Sequence, residues 1–374
     1  MKTQLTALVC AVAACAAAAE AATTRTYYVA AEEVDWDYAP EGRDLMMGHD
    51  FTEDEEVFVK PGPHRIGHVY RKIRYVGYTD ATFTTPLPVE DPSLGILGPV
   101  IRAEVGDEID VVFENHSTMP VSIHPHGVFY DKASEGAMTN DSTSGDGKAD
   151  DRVAPGAGLT YHWSVPERAG PGPNDPSSVV WLYHSHVDET RDTNTGLVGP
   201  MVITAVGQAN PDGTPKDVDR EYFSLFTVMD ENQSLFLDDM VEGLGDSAVT
   251  EDAEHSETDI VAENDEEEFA ESNLMHSING YVYGSMPMPQ MTVGEKVRWY
   301  VMALGTEVDL HTPHWHGNTV LVGGHRKDVV ELMPATTLVA DMEPDNPGIW
   351  MYHCHVNDHL QAGMTGRYEV VAAK

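Results

Sequence analysis

His353-Cys354-His355-Val356-Asn357-Asp358-His359-Leu360-Gln361-Ala362-Gly363-Met364 sets one cysteine between two histidines, with a further histidine and a methionine downstream. Thiolate, imidazole and thioether are the donors of a blue-copper centre, where one Cys and two His meet a weak axial Met. Cys354, His359 and Met364 supply three of those four ligands. His353 and His355 leave the backbone beside Cys354, so the same segment reaches other metal ions a short covalent path away. An electron arriving at the thiolate would have a through-bond route to those neighbours. The segment points to a copper-dependent oxidase.

Outward from this segment the chain repeats itself. Trp350-Met351-Tyr352-His353-Cys354-His355-Val356 is answered by Trp181-Leu182-Tyr183-His184-Ser185-His186-Val187, and His314-Trp315-His316-Gly317 by His124-Pro125-His126-Gly127. Ser185 stands where Cys354 stands, Val121 where His311 stands and Thr190 where His359 stands. The first copy therefore keeps paired histidines and lacks the blue-copper ligands. Runs such as Glu108–Glu114 and Lys296–Met302 are rich in Val, Ile, Trp and Tyr and lie between Gly/Pro/Asp turns. Many short strands with few helical stretches predict an all-β chain of two tandem Greek-key sandwich or barrel domains. The expected boundaries are 22–206 and 219–374, joined by 207–218. Within the second unit, 230–271 holds 17 acidic side chains and no Lys or Arg, and its 238–264 portion reads as a solvated acidic loop.

Composition narrows the partners. The 374 residues contain 62 Asp+Glu against 22 Lys+Arg, a formal charge of −40. Nucleic acid and anionic membrane surfaces are poor partners for such a field, whereas Fe²⁺ or Cu⁺ would be drawn to it. An acidic, lysine-poor surface also keeps a protein soluble in salt. Residues 1–21 read as a secretory signal: Lys2, the apolar Leu5–Ala19, then small residues around Ala19-Glu20-Ala21. The apolar run is short for a membrane span. An exported, periplasmic or extracellular protein is expected. Val12-Ala13-Ala14-Cys15 also resembles a bacterial lipoprotein box, which would anchor the chain through Cys15. Loss of Cys10 and Cys15 with an ordinary signal would leave Cys354 as the sole cysteine, unable to form an internal disulfide.

The histidines fall into four motifs: 124/126, 184/186, 311/314/316 and the terminal segment. Alternate residues of a strand share a face, so each His-x-His pair aims two imidazoles the same way. Ten histidines, one cysteine and one methionine are thus arranged for four coppers. His49, His64, His68, His116, His162, His255 and His325 belong to no such motif and are read as structural.

These four motifs resemble those of the multicopper oxidases, and within them the ceruloplasmin and hephaestin ferroxidases. The likeness extends through Tyr27-Tyr28-Val29-Ala30-Ala31-Glu32-Glu33, Tyr78-Thr79-Asp80-Ala81-Thr82-Phe83, Leu94-Gly95-Ile96-Leu97-Gly98-Pro99 and Glu271-Ser272-Asn273-Leu274-Met275-His276. It implies cupredoxin-like domains, two here against six in those relatives. It implies type 1 copper on His311, Cys354, His359 and Met364, and type 2 copper on His124 and His314. One type 3 ion would take His126, His184 and His355, the other His186, His316 and His353. Substrate would give up single electrons at type 1 copper, and O₂ would be reduced to water at the other three. The relatives close this cluster between their first and last domains. Two domains reproduce that ring when three chains assemble head to tail, so a homotrimer with clusters between subunits is expected.

The resemblance also implies an iron site at Glu271, His276, Asp358 and Glu307, the last contributed by a neighbouring subunit. Oxygen ligands favour Fe³⁺ over Fe²⁺ and ease its oxidation. Asp358 is also readable as a surface carboxylate, Glu271 as one acid of a charged run and Glu307 as a turn residue, which would leave a laccase-like oxidase of phenols, Cu⁺ or Mn²⁺. In Asp146-Gly147-Lys148-Ala149-Asp150-Asp151 the relatives' calcium site corresponds to the Lys132 carbonyl, Asp150 and Asp151, although an acidic turn needs no metal. Three rival classes remain. A copper nitrite reductase, also a trimer of two-domain chains, would carry its type 1 cysteine in the first domain, where Ser185 stands. Non-catalytic clotting-factor-type modules lack most copper ligands. A copper buffer has no use for the path through Cys354.

Overall fold

The computed structural model describes residues 23–62, 65–89, 91–244 and 267–373. The signal with Cys10 and Cys15, most of the acidic loop, His64 and His255 lie outside the described residues. Strands dominate, in four sheets that form two equivalent pairs. The first pair runs Val69–Tyr78, Thr24–Asp37, Glu108–Asn115, Gly158–Ser164, Phe129–Tyr130 against Ile101–Glu104, Val198–Thr204, Ser178–His184, His124–Pro125. The second runs Leu274–Ile278, Arg220–Asp230, Val297–Ala303, Thr337–Met342, Val320–Val322, His325–Lys327 against Gln290–Thr292, Thr365–Val371, Gly348–Cys354, Pro313–Trp315. Each pair contains the same parallel contacts, Thr24–Asp37 with Glu108–Asn115 and Arg220–Asp230 with Val297–Ala303. The sequence repeat is thus a repeat of topology. Glu108–Asn115 alternates exposed or half-buried with buried side chains, as a sheet with one face on a core requires, whereas Val297–Ala303 is buried throughout.

That difference reflects how the two units meet. One core cluster lies in the first unit, with Phe236 of the second inserted into it, and one lies within the second. A third spans both, joining Tyr38, Leu182 and Val198 to Phe223, Leu225, Tyr300 and Met302. Polar contacts fix its register. Trp36 Nε1 donates to the Gly280 carbonyl at 2.6 Å, Arg298 Nη1 donates to the Ser177 and Ser178 hydroxyls at 2.8 Å each, and Thr337 donates to the Val180 carbonyl. Lys72 and Glu231 form a fully buried ion pair across the same boundary, with the Tyr38 hydroxyl donating to Glu231.

The described start of the acidic segment, 238–244, differs from its reading as a loop. Leu237–Leu244 is a helix, and Phe236 just before it is buried in the first core, with Met240 against the shared one. Leu237, Met240 and Val241 recur at helical spacing, a pattern hidden by the intervening acids. Residues 267–272 are also helical and carry Glu271 into the strand Leu274–Ile278.

Candidate metal centres

The ligand segments sit at strand ends because the register puts them there. Pro313 pairs with Cys354 and His314 with His353; in the first unit His124 pairs with His184. His355 directly follows its strand, and His186 lies two residues past the end of its own. The glycine closing each His-x-His-Gly motif has a physical cause. Gly127 and Gly317 adopt φ of +77° and +73°, and a Cβ there would lie 2.3 Å from the Trp181 ring and 2.4 Å from the Trp350 ring. Any side chain would push the tryptophan away and displace the histidine beside it.

His311, Cys354 and His359 converge in the interior of the second unit. Cys354 Sγ lies 3.9 Å from His311 Nδ1 and 3.6 Å from His359 Nδ1, and the two ring nitrogens are 3.1 Å apart. Met364 is buried in the same core, tied by its N–H to the His359 carbonyl and by its own carbonyl to the Cys354 N–H. His311 Nε2 faces Asp309 Oδ1 at 3.2 Å, a carboxylate that also accepts the Val228 N–H. That partner leaves Nδ1 as the coordinating atom. Burial works to raise the Cys354 pKa, but hydrogen bonds from His311, His359 and the Thr312 N–H outweigh it and bring the thiol down to about 6. A thiolate is the form that binds metal.

The remaining histidines of the four motifs form two quartets. In the second unit His316 Nε2 and His314 Nδ1 lie 3.1 and 3.2 Å from His353 Nε2, with the His355 ring 5.4 Å from that of His314. In the first unit His126 Nε2 lies 3.0 Å from His184 Nε2, and the His124 ring is 5.2 Å from that of His186. Burial, with neighbouring imidazoles adding, holds His126, His184 and His353 down to about 4. They are neutral at neutral pH and offer lone pairs. Nδ1–H groups donating to carbonyls (His124 to Glu135, His184 to Ser185, His353 to Cys354) leave Nε2 free to ligate. Among the described residues no ring of one quartet pairs with a ring of the other.

Two family models, both described as Multicopper oxidase, match residues 94–207 and 253–374. Ferroxidase HEPHL1 of Mus musculus is 46% identical over 350 residues, 93% of this chain and 29% of that protein. Hephaestin of Homo sapiens is 40% identical (93% of this chain, 29% of that one) and ceruloplasmin of Rattus norvegicus 42% (94% and 32%). The chain belongs to the multicopper oxidase family. It spans about a third of the length of these relatives. Solved structures share its fold: a multicopper oxidase at TM-score 0.56 and 17% identity (93% of this chain, 89% of that one), and a copper nitrite reductase from Nitrosomonas europaea at 0.56 and 15% (93% and 94%).

The donor sets of this multicopper oxidase fit copper: a soft thiolate among imidazoles at one place, imidazoles alone at the others. The first unit shows what stands where the second has Cys354. The Ser185 hydroxyl donates to Asp192 Oδ2 at 2.6 Å, and the Val187 and Asp188 N–H groups donate to the same oxygen. Asp192, absent from any sequence motif, fills the hole with a hydrogen-bonded carboxylate. Burial first of all raises its pKa to about 6. A raised acid pKa means that the folded state keeps a proton the unfolded chain gives up, so this contribution to stability falls as pH climbs toward 6 and then levels. Asp192→Asn is therefore expected to gain roughly 1.4 kcal/mol relative to the parent between pH 5 and 7. Denaturant unfolding of both proteins across that range checks it, and a pH-independent difference would refute it.

The four residues expected around iron are only partly gathered. The His276 ring is 5.3 Å from that of His359, nearly buried, and burial with His359 brings its pKa to about 4. Its Nδ1–H donates to the Leu274 carbonyl at 3.0 Å, which leaves the Nε2 lone pair free. Asp358 precedes His359 and is exposed, as are Glu271 and Glu307. Among the described residues no three of the four present ligand atoms within 4.8 Å of one another.

The loop expected to hold calcium carries a stronger signal than its sequence. Asp150 Oδ1, Asp151 Oδ1 and Asp141 Oδ2 are all buried without a hydrogen-bond partner. Lys148 Nζ compensates part of the charge, 2.8 Å from Asp151 and 3.1 Å from Asp141. Orphaned buried carboxylate oxygens fit a hard, oxygen-liganded cation. Asp141 was missed because nothing in the sequence distinguishes it from other turn acids. Of the remaining histidines, His68, His116 and His162 pair with Asp37, Glu32/Glu114 and Asp110.

Proposed function

We propose that this chain is a ferroxidase: it couples one-electron oxidation of Fe²⁺ to reduction of O₂ to water, four Fe²⁺ and four protons being consumed per O₂. The observation that carries the reading is His276, a neutral imidazole packed on the type 1 ligand His359 with the carboxylate of Asp358 next in sequence. Relatives named ferroxidase support it. Bound copper supplies the electron-accepting and O₂-reducing chemistry, one type 1 ion on His311, Cys354, His359 and Met364, one type 2 and two type 3 ions on the quartets. The protein supplies the rest. Asp309 orients His311, Thr312 N–H holds the Cys354 sulfur, and the His353 Nδ1–H bond to the Cys354 carbonyl at 2.7 Å shortens the route from thiolate to quartet. His276, with Glu271, Asp358 and a neighbouring subunit's Glu307, would receive Fe²⁺ as substrate.

Because each quartet is half of a cluster, the reading includes a head-to-tail homotrimer with shared clusters between subunits. Three of the four histidines of each quartet are at least partly solvent-exposed, which supports a surface completed by another chain. Domains at 22–206 and 219–374, Ca²⁺ on Asp141, Asp150 and Asp151, and export to the periplasm or beyond complete the reading. Among the described residues no helix is long and apolar enough to cross a membrane.

Oxygen uptake by the copper-loaded protein with Fe²⁺ and, separately, with a simple phenol tests the substrate. Glu271→Ala with Asp358→Ala is expected to lower Fe²⁺ oxidation roughly ten- to hundredfold, the loss typical of disturbed metal ligation, with phenol oxidation little changed. Equal losses would make the protein laccase-like, with surface acids only.

A further inference from the structure

Three groups of side chains among the described residues bring metal-ligating atoms within 4.8 Å of one another. Two are the copper sets, His311/Cys354/His359 and His314/His316/His353. The third is Asp44, His49 and Glu55, in the first unit and away from every motif read above. The geometry points to a separate site for one divalent first-row cation, of the Zn²⁺ type, held by these three residues.

The local fold builds it. Asp44 and His49 face each other across a tight turn, Asp44 N–H donating to the His49 carbonyl and Gly48 N–H to that of Asp44. Gly48, at φ +74°, permits the reversal. Glu55 arrives from the first turn of the helix Glu53–Val59, where its Oε2 accepts the Thr52 N–H in a capping box. Its other oxygen takes no hydrogen bond among the described residues.

Two observations outside the clustering point to a cation. The first is Asp44, only 3% exposed. Its Oδ1 accepts the N–H groups of Met46 and Met47, at 2.6 and 3.1 Å, while Oδ2 has no hydrogen-bond partner among the described residues. Neither Asp44 nor Glu55 forms an ion pair there, and the adjacent Arg43 guanidinium is spent on the Gly48 carbonyl. A buried carboxylate without a counter-charge is costly, and a divalent cation would offset both anions. The second is His49, whose Nδ1–H donates to the Asp50 carbonyl at 2.8 Å. That bond leaves the Nε2 lone pair for coordination. One imidazole with two carboxylates suits Zn²⁺ and its neighbours better than Cu⁺, which prefers sulfur, or Ca²⁺, which prefers oxygen alone.

The site also has a mechanical address. Leu45 N–H donates to the Tyr283 carbonyl and Tyr283 N–H to that of Gly363, the residue before Met364. Leu45, the residue after Asp44, thus ties the turn that holds the site to the backbone leading into Met364.

The test uses copper-loaded protein incubated with Zn²⁺ and passed through a desalting column, with zinc and copper then measured by mass spectrometry. The wild type is expected to retain a single zinc per chain beyond its copper, and to unfold at higher temperature with Zn²⁺ than without. His49→Ala and Glu55→Gln are each expected to lose that zinc and that shift while keeping full copper and the blue absorption, which certifies their folding. A wild type that retains no zinc, or folded variants that retain as much as the wild type, would overturn the site.

Discussion

Cys354→Ser is expected to yield a folded but colourless protein without oxidase activity. Serine at this position is compatible with the fold, since Ser185 occupies the equivalent place in the first unit at the end of an equivalent strand. The chemistry is what cannot survive. A hydroxyl is a hard donor that stays protonated near neutral pH, so it gives neither the soft ligand nor the low-energy charge transfer of a thiolate. Removing a mere supporting hydrogen bond around a metal typically costs roughly 10–100-fold in affinity or activity, so loss of the thiolate should exceed that. The checks are oxygen uptake with Fe²⁺ and the absorption band at ~600 nm that a thiolate–Cu²⁺ pair produces. His353 and His355 are untouched, so copper on the quartets should persist. Activity within tenfold of the parent would mean that electrons reach the quartets by another route.

The second large effect is a rescue. His184→Ala damages only the first-unit quartet and His316→Ala only the second-unit quartet, so each protein alone is expected to be inactive. If clusters form between chains, a mixture assembled together contains interfaces with an intact half from each variant. In a head-to-tail ring with random mixing, about a quarter of interfaces join the two intact halves, and activity per chain should return to about a quarter of the wild type. The intact second-unit half then comes from the His184→Ala chain, which also carries an unmodified Cys354. Zero activity from a demonstrated mixed assembly would refute the shared cluster. A monomer that holds its full copper in light scattering would do the same.

The legibility of this protein divides by sequence distance. His353, Cys354, His355, His359 and Met364 occupy one short stretch, and strand alternation dictates how His353, Cys354 and His355 point, so the division of the segment between two clusters was readable from spacing. The repeat was readable for the same reason: strand ends fall at matched positions in both copies, and Ser185 opposite Cys354 marked which unit lacks the thiol. The helix Leu237–Leu244 went unread because acids interrupt its apolar stripe, although Met240 still finds the shared core.

What the amino-acid sequence determined by itself is the set of histidine and cysteine motifs and the double all-β architecture, both written in local patterns of a few residues. Tertiary structure alone decided the rest. It placed Asp192 in the vacant hole of the first unit, brought Asp141 to Asp150 and Asp151, set His276 against His359, and closed Asp44, His49 and Glu55 around one point. Each of these depends on side chains from separate turns or strands meeting in a buried, low-dielectric setting. There a carboxylate must find a donor, a proton or a cation, and only the packed fold shows which of the three it has found.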